Sequence, residues 1–392
     1  MKRLMMILIM LVFIVGLNEK INAQGEAAVA FLQLAPDSRA GGMGESGAGL
    51  ADNSAAIFWN PAGIAFLSGS ELSITHSNWL PQFNLDLFYD YLTYRQYIEE
   101  ISGSVTASIT YMNFGEFART GEASPEIIGT FRSFDAALTV GYATKLSTDW
   151  GLGFNFRVIH SRLSDQPTAG EQGSGVATSV SFDIAAMWRP EVLELPLIGD
   201  MGNQLSIGMN LSNLGPEIYY IDKAQADPIP TNFRLGTAVR LFQDDYNSLT
   251  YSLDFSKLLV SRPDADTSDG VSKEKDPFYT AVFTAWGDQS FGEELRDIVT
   301  SMGLEYWYGV PEDFMFALRV GLFYEDPNYG NRKFMTLGAG IRYDIYGFDF
   351  SYITTDVFQG GENHPLSDTL RFTLLMGWGA APEAVKGFPR GI

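Results

Sequence analysis

The stretch Gly175–Arg189 reads GVATSVSFDIAAMWR and decides how the rest of the chain is interpreted. Its apolar side chains fall on one face of an extended strand and its small or polar ones on the other, because strand side chains alternate. The stretch is as long as an oblique bilayer crossing, which takes roughly 9–11 residues at about 45°. It ends near an aromatic residue, Trp188, as strands do where a barrel wall meets lipid headgroups. A single strand of this kind also fits a soluble β-sandwich. The barrel interpretation therefore requires that the same pattern is repeated in many segments of the chain.

The same two-residue period occurs in thirteen more segments between Glu71 and Trp378. We therefore predict an all-β fold, a fourteen-stranded antiparallel transmembrane barrel, since bacterial outer-membrane barrels have an even number of strands. In each strand the apolar set is predicted to face lipid. In the second strand the predicted lipid-facing set is Leu85, Leu87, Tyr89 and Tyr91.

The alternate positions of these strands are predicted to face the lumen, and they carry charges of both signs. Because an unpaired charge in a poorly hydrated interior is costly, we expect these charges to pair with each other or with the N-terminal segment. The alternative is a ladder that selects ions, which would favour one sign. The predicted lumen positions are Asn155, Arg157, Ser181, Asp183, Asn210, Arg234, Arg240, Asp254, Glu305, Arg319, Arg342, Asp344 and Arg371.

Connections of alternating length support the barrel. Short periplasmic turns and long outer loops are the rule for such barrels, and with a periplasmic N-terminus only Pro190–Gly202 departs from it. The predicted long loops are Gly115–Thr130, Ser164–Ser174, Asn213–Thr231 and Val260–Thr300, and the short ones include Ser147–Asp149 and Asp244–Asn247.

The N-terminal region differs from the strands. Residues 1–23 are predicted to be a signal peptide, with Lys2 and Arg3 before a short apolar run and a small-residue cleavage site. Residues 24–68 are rich in Gly and Ala and lack alternation, so we predict a plug inside the barrel of residues 69–378, with a C-terminal extension at 379–392. A phosphate-binding loop is disfavoured because neither G-x-G-x-x-G nor G-K-[ST] is present. The candidate plug residues are Asp37, Arg39, Gly41, Gly42, Gly44, Trp59, Asn60 and Pro61.

The insertion Val260–Thr300 is the largest predicted outer loop. Ser290 and Glu293 have the spacing of a capping box that opens a short helix. Two interpretations of this helix are open. It packs against the barrel rim, or it presents an apolar surface that docks a partner protein or covers the pore. The candidate partner-binding residues are Phe278, Tyr279, Trp286, Phe291 and Leu295.

Several classes of function are disfavoured by composition. The formal net charge of −21 argues against a nucleic-acid partner. The chain has no Cys and three His, and it contains no zinc-protease or nucleophile-elbow motif, so we predict no metal, no cofactor and no enzymatic activity. Some outer-membrane acyl-chain hydrolases use Ser and His on a barrel face, but nothing singles out such a pair here.

Four motifs carry a resemblance to a known family: Phe31–Gly44 (FLQLAPDSRAGGMG), Phe58–Gly63 (FWNPAG), Gly303–Tyr308 (GLEYWY) and Asn331–Phe334 (NRKF) with Leu337–Gly340 (LGAG). Over nearly the whole mature chain the sequence resembles the FadL-like outer-membrane barrels and, among them, the PorV and PorQ proteins of the Bacteroidetes type IX secretion system.

The resemblance implies a non-enzymatic carrier in the outer membrane. Such proteins associate with a giant translocon barrel, bind secreted proteins through their C-terminal signal domains and pass them to a surface attachment complex. A PorQ-like role and a FadL-like transporter of hydrophobic small molecules remain the alternatives.

Overall fold

The computed structural model describes residues 27–121, 124–164, 174–196, 199–260, 276–310, 314–355 and 365–379. In this described part of the chain, fourteen strands close into an antiparallel barrel in which each strand pairs with its neighbours in sequence, and the last strand pairs with the first. The predicted fold class is therefore confirmed. The predicted signal peptide, residues 261–275 of the predicted insertion and residues 380–392 lie outside the described residues.

The barrel strands alternate apolar and polar faces along their length. They are β1 (Ser70–Asn78), β2 (Phe88–Ile98), β3 (Gly103–Gly121), β4 (Ser124–Lys145), β5 (Trp150–Arg162), β6 (Val176–Trp188), β9 (Leu205–Leu214), β10 (Asn232–Gln243), β11 (Asn247–Leu258), β12 (Val299–Gly309), β13 (Phe314–Tyr324), β14 (Lys333–Tyr343), β15 (Tyr346–Thr354) and β16 (Leu370–Trp378), while β7 (Glu194–Leu195) and β8 (Gly199–Asp200) form a separate small hairpin.

Helical structure is confined to short segments. The α-helices are α1 (Ser38–Gly41), α2 (Ala56–Trp59), α3 (Phe278–Thr284) and α4 (Phe291–Arg296), and single 3-10 turns cover Ala30–Gln33, Pro61–Phe66, Pro81–Phe83, Glu99–Ile101 and Lys223–Gln225. Among the described residues, no helix is long and apolar enough to cross a bilayer.

The predicted orientation of β2 is wrong. Tyr89 and Tyr91 are buried inside the barrel, and the lipid-facing positions are instead those of Phe88, Leu92 and Tyr94. Both faces of this strand carry tyrosines, so alternation alone does not decide which face meets lipid. The inward tyrosines pack in the same apolar cluster as the N-terminal segment. That segment buries the tyrosine face of β2, which the alternation of this strand alone does not show.

Two further predictions about the wall are wrong. Gly115–Thr130 is not a loop, because β3 and β4 run on as a paired ribbon through most of it, with 19 and 22 residues against 9–13 in the other barrel strands. Asp344 is exposed in the tight turn between β14 and β15 with a φ of 52°, and does not face the lumen. Its short side chain suits a turn with positive φ.

The two rims of the barrel differ, as the connection lengths predict. The long-loop rim carries the connections after β1, β3, β5, β9, β11, β13 and β15, and the short-turn rim carries the others. The β7–β8 hairpin lies within Pro190–Gly202, the one longer connection of the short-turn rim.

Candidate functional site

The N-terminal segment fills the lumen. From Ala35 to Ala65, every residue except Asn53 and Phe58 is buried. Its 3-10 turn at Pro61–Phe66 packs on β4, β5 and β6, and α1 packs on β14, β15 and β16. We call residues 27–67 the plug.

Asp37 connects the first two sequence motifs. Its carboxylate caps α1 by accepting the amide of Ala40 at 3.0 Å, and it also accepts the indole N–H of Trp59 at 2.6 Å. Burial raises the pKa of Asp37, and the hydrogen bonds from Trp59 and Ala40 oppose that rise. Both contacts lie within the plug, so Asp37 gives the plug an internal structure of its own.

Arg39 connects the plug to the barrel wall. Its guanidinium donates to both carboxylate oxygens of Glu305 on β12, at 2.7 and 2.8 Å, and also pairs with Asp52 of the plug. Glu305 accepts a further bond at 2.7 Å from Arg319 on β13. The four side chains of Arg39, Asp52, Glu305 and Arg319 are buried. A bidentate arginine–carboxylate pair, such as Arg39 with Glu305, is among the strongest hydrogen-bonded contacts in proteins.

The same network continues along the wall. Asp349 on β15 accepts from Arg319 at 2.8 Å and from Arg342 on β14 at 2.6 Å. Six charged side chains of the wall and the plug therefore form one connected set, in which Glu305 and Asp349 are each shared by two guanidiniums. We call Arg39, Asp52, Glu305, Arg319, Arg342 and Asp349 the lumen ion network.

Glycines of the plug lie directly against the backbone of the wall. Gly44 has a φ of 69°, and a Cβ there would lie 2.5 Å from backbone atoms of Leu322 and Met302. Its amide donates to the Thr336 hydroxyl at 2.8 Å. Gly42 lies against Gly338 of the fourth motif. A Cβ at Gly41 would lie 3.0 Å from side-chain atoms of Ser351 and Arg371, which are neighbours on the wall.

Asn60 and Pro61 form the last turn of the plug. The Asn60 side chain accepts the amide of Ala62, which caps the 3-10 turn that Pro61 begins. Its amide group donates to the carbonyls of Ala48 and Ala186, both at 3.2 Å. Asn60 thus fixes one plug segment to another and to β6. The structure therefore brings all eight candidate plug residues into the lumen.

Other lumen charges also meet in pairs of opposite sign. Arg371 of β16 reaches Glu45 of the plug at 3.1 Å, which adds a second ion pair between wall and plug. The remaining buried pairs are Arg157–Asp183 at 2.9 Å, Arg95–Glu71 at 3.1 Å and Arg234–Asp254 at 3.7 Å. The predicted pairing of lumen charges is confirmed for these residues, and they do not form a stripe of one sign.

Little free volume remains above the plug. A cleft between the plug and the strand ends at the long-loop rim holds about 50 Å³ of space for water. Arg157, Arg234 and Arg332 line it together with Leu32 and Phe58. In the described part of the chain, no group of three or more His, Asp or Glu side chains is arranged to hold a metal ion.

Helices α3 and α4 lie on the outer side of the wall at the long-loop rim. We call residues 276–298 the rim segment. Lys257 is on the lipid-facing side of β11, and its ammonium group is buried between Glu294 at 2.7 Å and Asp297 at 2.6 Å. Trp286 packs edge to face on Phe233 of β10. The rim segment is thus fixed to the outside of the barrel by one buried cation and one aromatic contact.

The predicted capping box of α4 is confirmed, with Ser290 and Glu293 in the expected roles. Tyr279, Trp286, Phe291 and Leu295 are exposed, and Phe278 is half-buried with its ring against Tyr279. The sequence interpretation missed Phe283, which is 77% exposed. Its spacing of four residues from Tyr279 was the available signal, because such residues share one face of a helix.

We expect Lys257→Met to detach the rim segment. The variant removes the cation that Asp297 and Glu294 share, and breaking a buried pair in this way costs about 3–5 kcal/mol. Hydrogen exchange of residues 276–298 should accelerate at least tenfold, while the barrel strands keep their protection. Lys145→Met, which removes a lysine at the short-turn end of β4, is the matched control, and equal exchange in the two variants would contradict the assignment.

A family model agrees with this architecture. Residues 18–265 match the family described as PorV, the type IX secretion system protein PorV. The match covers more than half of the chain.

The chain belongs to the PorV family.

Comparisons with other proteins add only distant likenesses. A Pseudomonas aeruginosa FadL homologue is 12% identical with a TM-score of 0.46, covering 88% of this chain and 98% of its own. The Pseudomonas putida toluene transporter TodX is 11% identical with a TM-score of 0.48, covering 92% and 99%. Among curated proteins, none matches this sequence significantly.

Membership of the PorV family, together with the closed barrel, identifies the chain as an outer-membrane component of the type IX secretion system. PorV is a family of secretion proteins and not a known enzyme family. The sequence interpretation missed several charged residues that hold the lumen and the rim together, namely Asp52, Arg95, Lys257 and Asp349 and the carboxylates Glu45, Glu71, Glu294 and Asp297. For Asp349 the signal was present, because it alternates with Phe348 and Phe350 in β15.

Proposed function

We propose that this PorV-family barrel is a carrier that binds secreted proteins through their C-terminal signal domains. It receives them from the giant translocon barrel and passes them to the surface attachment complex. The signal peptide 1–23 is removed on export, and the barrel lies in the outer membrane of a Bacteroidetes-type cell, in contact with its lipid. The observation that carries the proposal is a lumen occupied by a charge-paired plug beneath a rim that exposes aromatic side chains.

The filled lumen favours protein binding over solute transport. A transporter of hydrophobic small molecules needs a continuous apolar route. In the described residues, the cleft above the plug is lined by three arginines and holds little more than a few water molecules. The plug below it is fixed by buried ion pairs on β12 and β16. This arrangement favours a barrel that binds partner proteins at its outer surface over one that transports solutes through its lumen.

The rim segment is the proposed partner-binding surface. Its exposed aromatic and aliphatic side chains are Tyr279, Phe283, Trp286, Phe291 and Leu295, with Phe278 behind them. Exposed aromatic clusters of this kind mark protein interfaces, where large rigid rings contribute most of the binding energy. Because Lys257 fixes α4 on the outside of the wall, these side chains face a neighbour in or just above the membrane plane.

Affinity purification of the tagged protein from native outer membranes tests the proposal. We expect secreted proteins and a very large barrel protein to be recovered with it. Recovery of a bound hydrophobic compound without any protein partner would contradict the proposal and favour the transporter.

The double variant Phe283→Ser/Phe291→Ser should reduce the recovery of the very large barrel protein at least tenfold, because it removes the two most exposed aromatic rings of the rim segment, which are 77% and 79% exposed. Deletion of residues 261–297 should have the same effect, since β11 and β12 pair without them. Val192→Ser is the matched control, an equally exposed apolar residue (81%) on the short-turn rim. Unchanged recovery in the double variant would remove the rim segment from the proposal.

A further inference from the structure

The hairpin of β3 and β4 projects beyond the rest of the barrel. Pairing of β3 with β2 ends at Asn113, and pairing of β4 with β5 begins at Phe134. Beyond these points, β3 and β4 pair with each other alone, as in Phe117 with Phe131 and Ala118 with Thr130. We call residues 114–121 and 124–133 the ribbon.

A bulge marks the base of the ribbon. The pairing of β3 with β4 shifts register between Asn113 and Glu116, and Gly115 within the shift has a φ of 86°. Bulges of this kind bend a hairpin and redirect it. The eight residues 114–121 of β3 span about 25 Å at roughly 3.4 Å per residue. The headgroup layer adds only about 5–8 Å to each side of the hydrocarbon core, so a ribbon of this length that begins at the edge of that core extends beyond lipid.

The ribbon has one outer edge on β3 and one on β4. In the described part of the chain, no strand pairs with the outer edge of β3 after Asn113. A two-stranded ribbon is marginally stable in water, and an open edge is a template for a third strand. The ribbon also exposes apolar side chains, with Ile127 and Ile128 on opposite faces of β4 and Phe117 of β3 stacked on Phe131.

We propose that the β3 edge of the ribbon, residues 116–120, takes an extended strand of the secreted protein as a third strand of the ribbon. The edge of β4 is less suitable because Pro125 has no N–H to donate. The inference rests on the proposed function, because the secreted C-terminal signal domain supplies the strand.

The position of the ribbon supports this assignment. In the ring of fourteen strands, the β3–β4 hairpin is six positions from the β11–β12 pair that carries the rim segment. The two surfaces are therefore on nearly opposite sides of the long-loop rim. A carrier that passes a protein between two assemblies needs to hold one partner while it contacts another, and two separate surfaces meet that need.

Hydrogen exchange of the full-length protein in detergent, alone and with a purified C-terminal signal domain of a secreted protein from the same organism, tests the inference. We expect the amides of residues 116–120 to exchange at least tenfold more slowly with the domain bound. Binding without a change at these amides would overturn the inference and leave the proposed function standing. Failure of the domain to bind would overturn both.

Two variants separate pairing along the edge from simple apolar contact. Replacing residues 115–132 with an Asn-Gly turn keeps every pair of β3 with β2 and of β4 with β5, and it should weaken binding of the domain at least tenfold. Ile127→Ser/Ile128→Ser keeps the edge of β3 and should weaken binding less than threefold. Unchanged affinity in the first variant, or a tenfold loss in the second, would overturn the inference.

Discussion

The Glu305→Gln variant is expected to release the plug from the wall while the barrel strands still pair. Glu305 is fully buried and accepts hydrogen bonds from Arg39 and Arg319. Glutamine has no charge, so two buried guanidiniums would face each other without a shared anion. Removing one partner of such a buried set costs about 3–5 kcal/mol, a large part of the stability of an ordinary domain.

Trypsin provides a direct measurement of this release. Arg39 is the only Lys or Arg between residues 24 and 68, and it is buried. Cleavage after Arg39 should therefore be slow in the parent protein and at least tenfold faster in Glu305→Gln, with a lower urea midpoint. Glu116→Gln is the control, because Glu116 makes an exposed pair with Arg132 at 3.9 Å and such pairs contribute about 0–1 kcal/mol. Equal cleavage in the two variants would show that the lumen ion network does not hold the plug.

Gly321→Val is expected to displace the plug more strongly still. A Cβ at Gly321, on the lumen face of β13, would lie 1.9 Å from the amide nitrogen of Gly44. Backbone cannot move aside as the end of a flexible side chain can, so the cost should exceed the roughly 1–3 kcal/mol typical of overpacking. Valine is itself well suited to a strand, so the barrel should still close.

The measurements for Gly321→Val are thermal unfolding and cleavage after Arg39. We expect a lower midpoint and cleavage at least tenfold faster than in the parent. Gly129→Val is the matched control, since Gly129 also lies in a strand but a Cβ there meets nothing within 4 Å. If both variants behave like the parent, then the close approach of Gly44 to β13 does not determine where the plug lies.

The wall could be predicted from sequence where one face of a strand is uniformly apolar. Strand β6 is the clearest case, and its observed bounds Val176–Trp188 differ little from the predicted ones. The prediction failed for β2, where tyrosines occupy both faces, and for the ribbon, where residues 116–132 mix Phe and Ile with charged residues. Alternation predicts a strand only when one side of it meets a uniform environment.

For the plug, the sequence predicted the type of contact with the wall but not which residues make it. Opposite charges in the lumen were expected to pair, but Arg39 and Glu305 are 266 positions apart in sequence. Which carboxylate Arg39 meets depends on how deeply the plug enters and on its rotation inside the ring of strands. The close contact of Gly44 with Leu322 and Met302 is of the same kind, because no local pattern encodes the approach of two distant backbones.

Conductance of the purified protein in a planar lipid bilayer tests the central claim most directly. If the plug and its buried ion pairs occupy the lumen, then the parent protein should insert without opening steps, because a barrel that binds proteins at its surface needs no open path. Steady conductance of the parent at the level of Gly321→Val, in which the plug is expected to be displaced, would contradict the claim.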